Sequence, residues 1–146
     1  MKNEMLLKEI GACTASVEWV KAGRYATKQA AWDACGRGDW LLWFAAKRGV
    51  DRKKLVFAAC QCARTALKYT NDPRVLKCIE TAEAWALGEA TLEDLKGARI
   101  AAYAAAYAAF AAYAAAYAAA YAAFGGQIKA LKKCADIVRK YIPEVP

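Results

Sequence analysis

Lys47, Arg48, Arg52, Lys53 and Lys54 fall within eight residues, interrupted by Asp51. Clustered ammonium and guanidinium groups suit a phosphate or an acidic protein surface. Arg52, Lys53 and Lys54 would occupy the first turn of a helix capped by Asp51. The macrodipole disfavours positive charge there by ~0.3–1 kcal/mol, so the arrangement invites an anion. A solvated helix surface is the plainer alternative. Further along the same helix, Lys54, Gln61, Arg64 and Lys68 lie near one face. The residues expected to touch a ligand are Arg37, Trp43, Lys54, Arg64, Lys68, Arg99, Tyr103 and Tyr107. The cations would grip phosphate or carboxylate, and the rings would stack on a planar group.

Groups for bond breaking are sparse. The chain of 146 residues has no His, which removes the commonest general base and the usual catalytic zinc ligand. Ser16 is the only serine and stands in no nucleophile elbow. Asp33, Asp39, Glu80 and Glu83 could pair as acid and base, but cap and helix-face positions account for them. No phosphate-binding glycine loop, dinucleotide fingerprint or calcium loop occurs. The expectation is a protein that is not an enzyme and uses no cofactor and no metal. Arg37-Gly38-Asp39 matches an adhesion tripeptide, but reads more simply as a turn leading into a helix cap.

The six cysteines are Cys13, Cys35, Cys60, Cys62, Cys78 and Cys134. The first ten residues carry Lys2, Glu4, Lys8 and Glu9 and lack the apolar run of an export signal. A cytoplasmic protein with reduced, buried thiols follows. Cys60-Gln-Cys62 lacks the spacing of a zinc knuckle. The net charge of +8 is spread along the chain rather than gathered in a tail. It favours acidic or phosphate-bearing partners over basic ones.

The elements that must position these residues all read as helices. Leu6, Leu7, Ile10, Cys13, Val17 and Val20 recur at three- and four-residue steps, with Gly11 as a weak point. Thr27 caps a short helix, and Asp39 caps one opening Trp40-Leu41-Leu42-Trp43-Phe44. Asp51 caps a helix to about Tyr69. Asp72-Pro73 starts another, ended by Gly88. Thr91 to Asp94 has capping-box spacing, and that helix runs toward Phe124. Gly125-Gly126 ends it, and a last helix spans Gln127 to Tyr141. The predicted fold is one all-α domain over residues 1–146, a compact bundle of about six or seven helices.

Residues 101–124 contain only Ala, Tyr and Phe. The seven aromatics fall within a wedge of roughly 120° on a helix. At ~1.5 Å per residue the segment could cross a ~30 Å bilayer core. Alanine is barely apolar, however, and the tyrosine hydroxyls are poorly suited to hydrocarbon. An ice-binding helix would need a regular threonine array, which is absent. A long central helix is the expectation, with alanine allowing close approach and tyrosine filling gaps. The chain is thus expected to bind no membrane.

The order of features resembles a known family. Gly11-Ala12-Cys13, Val17-Glu18-Trp19 and Ala31-Trp32-Asp33-Ala34-Cys35 come first. Gly38-Asp39-Trp40-Leu41-Leu42-Trp43 follows and is the most specific piece. Then come Ala59-Cys60-Gln61-Cys62-Ala63-Arg64, Ala82-Glu83-Ala84-Trp85-Ala86, an alanine-rich helix and Ile137-Val138-Arg139. This is similar to the immunity-five-like immunity proteins of bacteria and phages. The resemblance implies an all-α protein that neutralises a toxin by binding it, and brings no binding residues with it. The leading expectation is stoichiometric sequestration of a target, of the immunity or phage counter-defence kind. One alternative is a sponge for a phosphate-bearing nucleotide signal, held in a basic, aromatic-lined pocket of a homo-oligomer. Another is a general nucleic-acid binder.

Overall fold

Short polar caps cut this chain into helices. In the computed structural model, described over residues 3–65, 67–69, 71–98 and 124–146, all regular structure is helical. The elements are α1 (Asn3–Glu9), α2 (Thr14–Gly23), α3 (Lys28–Ala34), α4 (Gly38–Lys47) and α5 (Arg52–Arg64). A 3₁₀ turn (Leu67–Tyr69) precedes α6 (Pro73–Leu87). Residues 92–98 form α7, and α8 spans Phe124–Tyr141. The described residues form an all-α bundle, as expected. Residues 99–123 lie outside the described residues, so the expected central helix is not placed.

Most caps form as read. Thr27 accepts from the Ala30 amide (3.0 Å) and Asp51 from the Lys54 amide (2.9 Å). Asp72 accepts from Arg74 N–H (2.9 Å), with Pro73 at the first helical position. Thr91 and Asp94 exchange backbone-to-side-chain bonds in a reciprocal box. Each cap satisfies an amide that the helix itself leaves unpaired.

Four boundaries differ from the expectation. The first apolar stripe splits into α1 and α2, because Gly11 turns the chain at φ 77°. The α5 helix ends at Arg64 rather than near Tyr69. Gly125 and Gly126 lie inside α8 instead of preceding it. Glycine lowers helix stability by only ~1 kcal/mol, a cost that packing elsewhere along a helix can offset. Finally, α4 begins at Gly38 with Arg37 at the cap position. Asp39 therefore stands in the first turn and binds the Arg37 guanidinium rather than capping.

The α4 helix packs on α8, and α5 packs on α6, α8 and α4. Trp32, Cys35, Leu41 and Ala45 meet Ala135, Val138 and Ile142 in one buried cluster. The inner face of α8 carries Ala135 and Val138, both fully buried. Polar ties hold the C-terminal end of α8 to α3. Trp32 Nε1 donates to the Ile142 carbonyl (3.2 Å). Arg139 donates to the Trp32 and Cys35 carbonyls (3.1 and 2.7 Å), capping the last turn of α3 from outside. Gln29 donates to the Pro143 carbonyl and accepts from the Val145 amide.

Four carboxylates are held below their ordinary range, Asp94 by its bonds from Thr91 and the other three by arginines. Arg37 does this to Asp39, Arg64 to Glu83, and Arg74 to Asp72, which is drawn down to about 2. A depressed carboxylate stabilises the fold fully above its unfolded pKa of ~4 and loses that contribution as pH falls through its folded value. Thermal melts should therefore change little from about pH 7 to about pH 5 and fall steeply between about pH 4 and about pH 2. Arg64→Ala should flatten part of that fall. A profile as steep as that of the unaltered protein would count against the Glu83 contribution.

Candidate functional site

A cavity of about 450 Å³ lies between the α1–α2 hairpin and the α3–α4 pair. Helical spacing aims each wall inward. Lys28, Ala31, Trp32 and Cys35 of α3 follow the i, i+3, i+4, i+7 pattern. Ser16, Trp19 and Val20 of α2 follow i, i+3, i+4. From α4 come Trp40, Leu41, Trp43 and Phe44, and α1 closes the hairpin side with Leu6 and Leu7. The volume suits a small organic ligand, for which pockets run from ~300 to ~1,000 Å³.

The rings hold one another in place. Trp19 meets Trp40 edge-on at 6.2 Å between centroids, and Tyr25 at 4.9 Å. Trp32 lies 6.2 Å from Phe44. Such pairs add ~0.5–1.5 kcal/mol beyond area burial and limit ring motion. Trp32 is deeply buried, while Trp40 and Trp43 are both half-buried.

Charge is confined to the rim. Arg37 grips Asp39 through two bonds (2.9 and 2.6 Å) and lies 4.5 Å above the Trp40 ring. The guanidinium holds the Asp39 carboxyl ionised, so Asp39 is a poor proton donor near neutral pH. Lys28 is exposed and makes no hydrogen bond or ion pair with another described residue. Among the described residues, no buried side-chain nitrogen or oxygen lacks a partner. Among the indoles on the wall, Trp32 donates to the Ile142 carbonyl, while the Trp19, Trp40 and Trp43 N–H groups bond no other described residue.

The residues predicted to bind a ligand do not converge on this cavity. Trp43 lines it, with the Lys47 ammonium 5.7 Å from its ring, and Arg37 stands at its edge on Trp40 and Asp39. Lys54 instead borders a separate hollow of about 350 Å³ with Phe57, Leu87 and Tyr141. Arg64 is committed to Glu83 (2.6 Å at both contacts), and Gln61 joins the same carboxylate at 2.7 Å. That network ties α5 to α6. Lys68 is exposed on the 3₁₀ turn and lines neither cavity. Arg99, Tyr103 and Tyr107 lie outside the described residues.

The basic first turn of α5 needs no outside anion. The Asp51 carboxylate supplies negative charge at the cap, while Arg52 and Lys53 lie 5.8 and 5.7 Å from the Trp85 ring. Sequence reasoning missed Trp19, Phe44 and Lys28 as parts of one site. One signal was available, since four of the five tryptophans fall between residues 19 and 43.

No group of three or more His, Cys, Asp or Glu that could hold a metal occurs among the described residues. No described helix is long and apolar enough to cross a membrane. Cys35 and Cys60 are buried, as expected of these thiols, and Cys62, Cys78 and Cys134 are half-buried. Cys13 departs from the pattern. It is exposed at the cavity rim, and the Ser16 hydroxyl 3.5 Å from its sulfur holds its pKa below the ordinary thiol value. Burial pushes Cys60 up to about 11 and Cys62 up to about 12. At neutral pH, iodoacetamide should modify Cys13 first, with the buried thiols reacting only on unfolding. Peptide mass mapping after partial alkylation reads the order, and earlier labelling of Cys60 or Cys62 would contradict it.

Neither family models, curated protein sequences nor solved structures match this chain.

Proposed function

We propose that the protein is a non-catalytic, cytoplasmic binding protein of the immunity or phage counter-defence kind, neutralising its target by stoichiometric sequestration. The carrying observation is the tryptophan-walled cavity, whose one carboxylate, Asp39, is engaged by Arg37. Such a chamber favours burial of an apolar ring or side chain and offers little for proton transfer. The Gly38–Trp43 segment, the most specific part of the resemblance to immunity-five-like proteins, builds one wall. Asp39, Trp40, Leu41 and Trp43 all face the cavity.

The nucleotide-sponge reading stands second. Two cations assigned to phosphate, Arg37 and Arg64, are held by Asp39 and Glu83. General nucleic-acid binding comes third and requires affinity for random DNA or RNA that falls steeply with salt.

The test is recovery of bound material. Tagged protein is incubated with host extract, washed and denatured, and the released species are weighed by mass spectrometry. Expected is one species at a fixed ratio to the protein, chemically unchanged, and lost from Trp43→Ala. Multiple turnover of a retained compound, or retention indifferent to Trp43, overturns the reading.

A further inference from the structure

One residue lining the tryptophan-walled cavity, Lys28, carries an unpaired charge among the described residues. Lys28 opens α3 and lines the cavity, yet its ammonium is exposed and meets no carboxylate among the described residues. The other charged group on the wall, Asp39, is already neutralised by Arg37 at 2.6 and 2.9 Å. Among the lining residues Lys28 is therefore the one cation without a carboxylate partner, and the Lys47 ammonium stands just outside the lining, 5.7 Å from the Trp43 ring.

These features select a ligand by its shape and charge. Trp19, Trp40 and Trp43 come from two helices and suit the faces and edges of a flat ring system. Fully buried polar atoms are already bonded, so polar substituents on that ring are limited to partners on the accessible lining, such as the tryptophan N–H groups. One anionic group at the ring's edge would reach the Lys28 ammonium. A second negative charge would find no further cation among the lining residues, since Lys47 stands outside them, and would approach the Asp39 carboxylate. Multiply charged phosphate ligands are disfavoured on that ground.

We infer that this cavity binds a planar aromatic monoanion, with its rings against Trp19, Trp40 and Trp43 and its carboxylate on Lys28. The inference deepens the capture reading and rests on it only for the claim that the ligand leaves unchanged.

The probes are 2-naphthoate, 2-naphthamide and cyclohexanecarboxylate. The amide keeps the rings and removes the charge, and the last keeps the charge and removes the aromatic faces. Binding is read by calorimetry and tryptophan fluorescence, with Cys13 alkylation as a reporter at the cavity mouth. Expected is one 2-naphthoate per chain, held ~tenfold more tightly than 2-naphthamide, as a charge-assisted contact allows. Cyclohexanecarboxylate should be weakest, and bound 2-naphthoate should slow Cys13 alkylation. Lys28→Gln changes an exposed side chain and so leaves the fold intact. It should reduce 2-naphthoate to the affinity of 2-naphthamide and leave the amide unaffected. Equal affinity for acid and amide, no binding of either, or indifference to Lys28→Gln overturns the inference. If 2-naphthoate binds and returns altered, the capture reading fails instead. If no probe binds while extract yields a retained, unchanged partner, only the ligand class is wrong.

Discussion

Trp32→Ala is expected to lower stability by ~3–5 kcal/mol, the range for emptying a large aromatic site in a core. The side chain is 3% exposed and packs between α4 and the end of α8. Its removal joins new empty volume to a cavity of about 450 Å³ that already lies beside it, so the walls have little to collapse onto. It also strips the Ile142 carbonyl of the Nε1 donor at 3.2 Å. Trp32→Phe separates the two effects. It keeps most of the ring and loses that bond, so it should cost less, about 1–3 kcal/mol for a buried acceptor left unpaired. With total stability of ~5–15 kcal/mol for a domain of this kind, the alanine variant loses a large share of it. Urea unfolding followed by circular dichroism measures both. A Trp32→Ala midpoint equal to that of the unaltered protein would show that the α3–α8 contact does not hold the bundle.

The parts of this structure that were legible in sequence are those whose physics is local. Thr27, Asp51, Asp72 and the Thr91–Asp94 pair each bond an amide two or three residues away, so type and spacing sufficed. The buried pair Ala135 and Val138 on α8 obeys the same local rule, three residues apart on one helical face. Asp39 was misread because two local partners compete for it. The Arg37 guanidinium offers two charge-assisted bonds where a cap offers one. The candidate site was hardest. Arg64 looked free because its partner, Glu83, lies nineteen residues away on α6. The cavity depends on how the α1–α2 hairpin lies against α3 and α4, a long-range arrangement that no spacing encodes. Trp43 and Arg37 were found because tryptophan and arginine are rare enough to notice. Lys28 was not, since only its lack of a partner in the folded chain sets it apart from other lysines.

Gly38→Ala is expected to destabilise the protein by ~1–3 kcal/mol, opposite in sign to the usual effect of replacing glycine with alanine in a helix. A methyl group on Gly38 would stand 2.6 Å from Cys134 Cβ, 2.7 Å from the Cys134 carbonyl carbon and 2.8 Å from the Ala135 nitrogen. Two of those atoms are backbone within α8, so no rotamer change relieves the clash. The start of α4 must instead move away from α8. That motion carries Trp40 and Trp43 with it, because both stand within two turns of the displaced residue. The variant should therefore lose affinity at the cavity as well as stability, whereas a purely local defect would affect stability alone. Gly36→Ala is the control, as a methyl group there meets nothing within 4 Å. It should be neutral or raise stability by ~0.4–1 kcal/mol through the unfolded chain. Thermal melts of the two variants side by side test the contrast. A Gly38→Ala protein as stable as Gly36→Ala would mean that α4 and α8 are not held at this close approach, and the wall built on α4 would then lose its anchor.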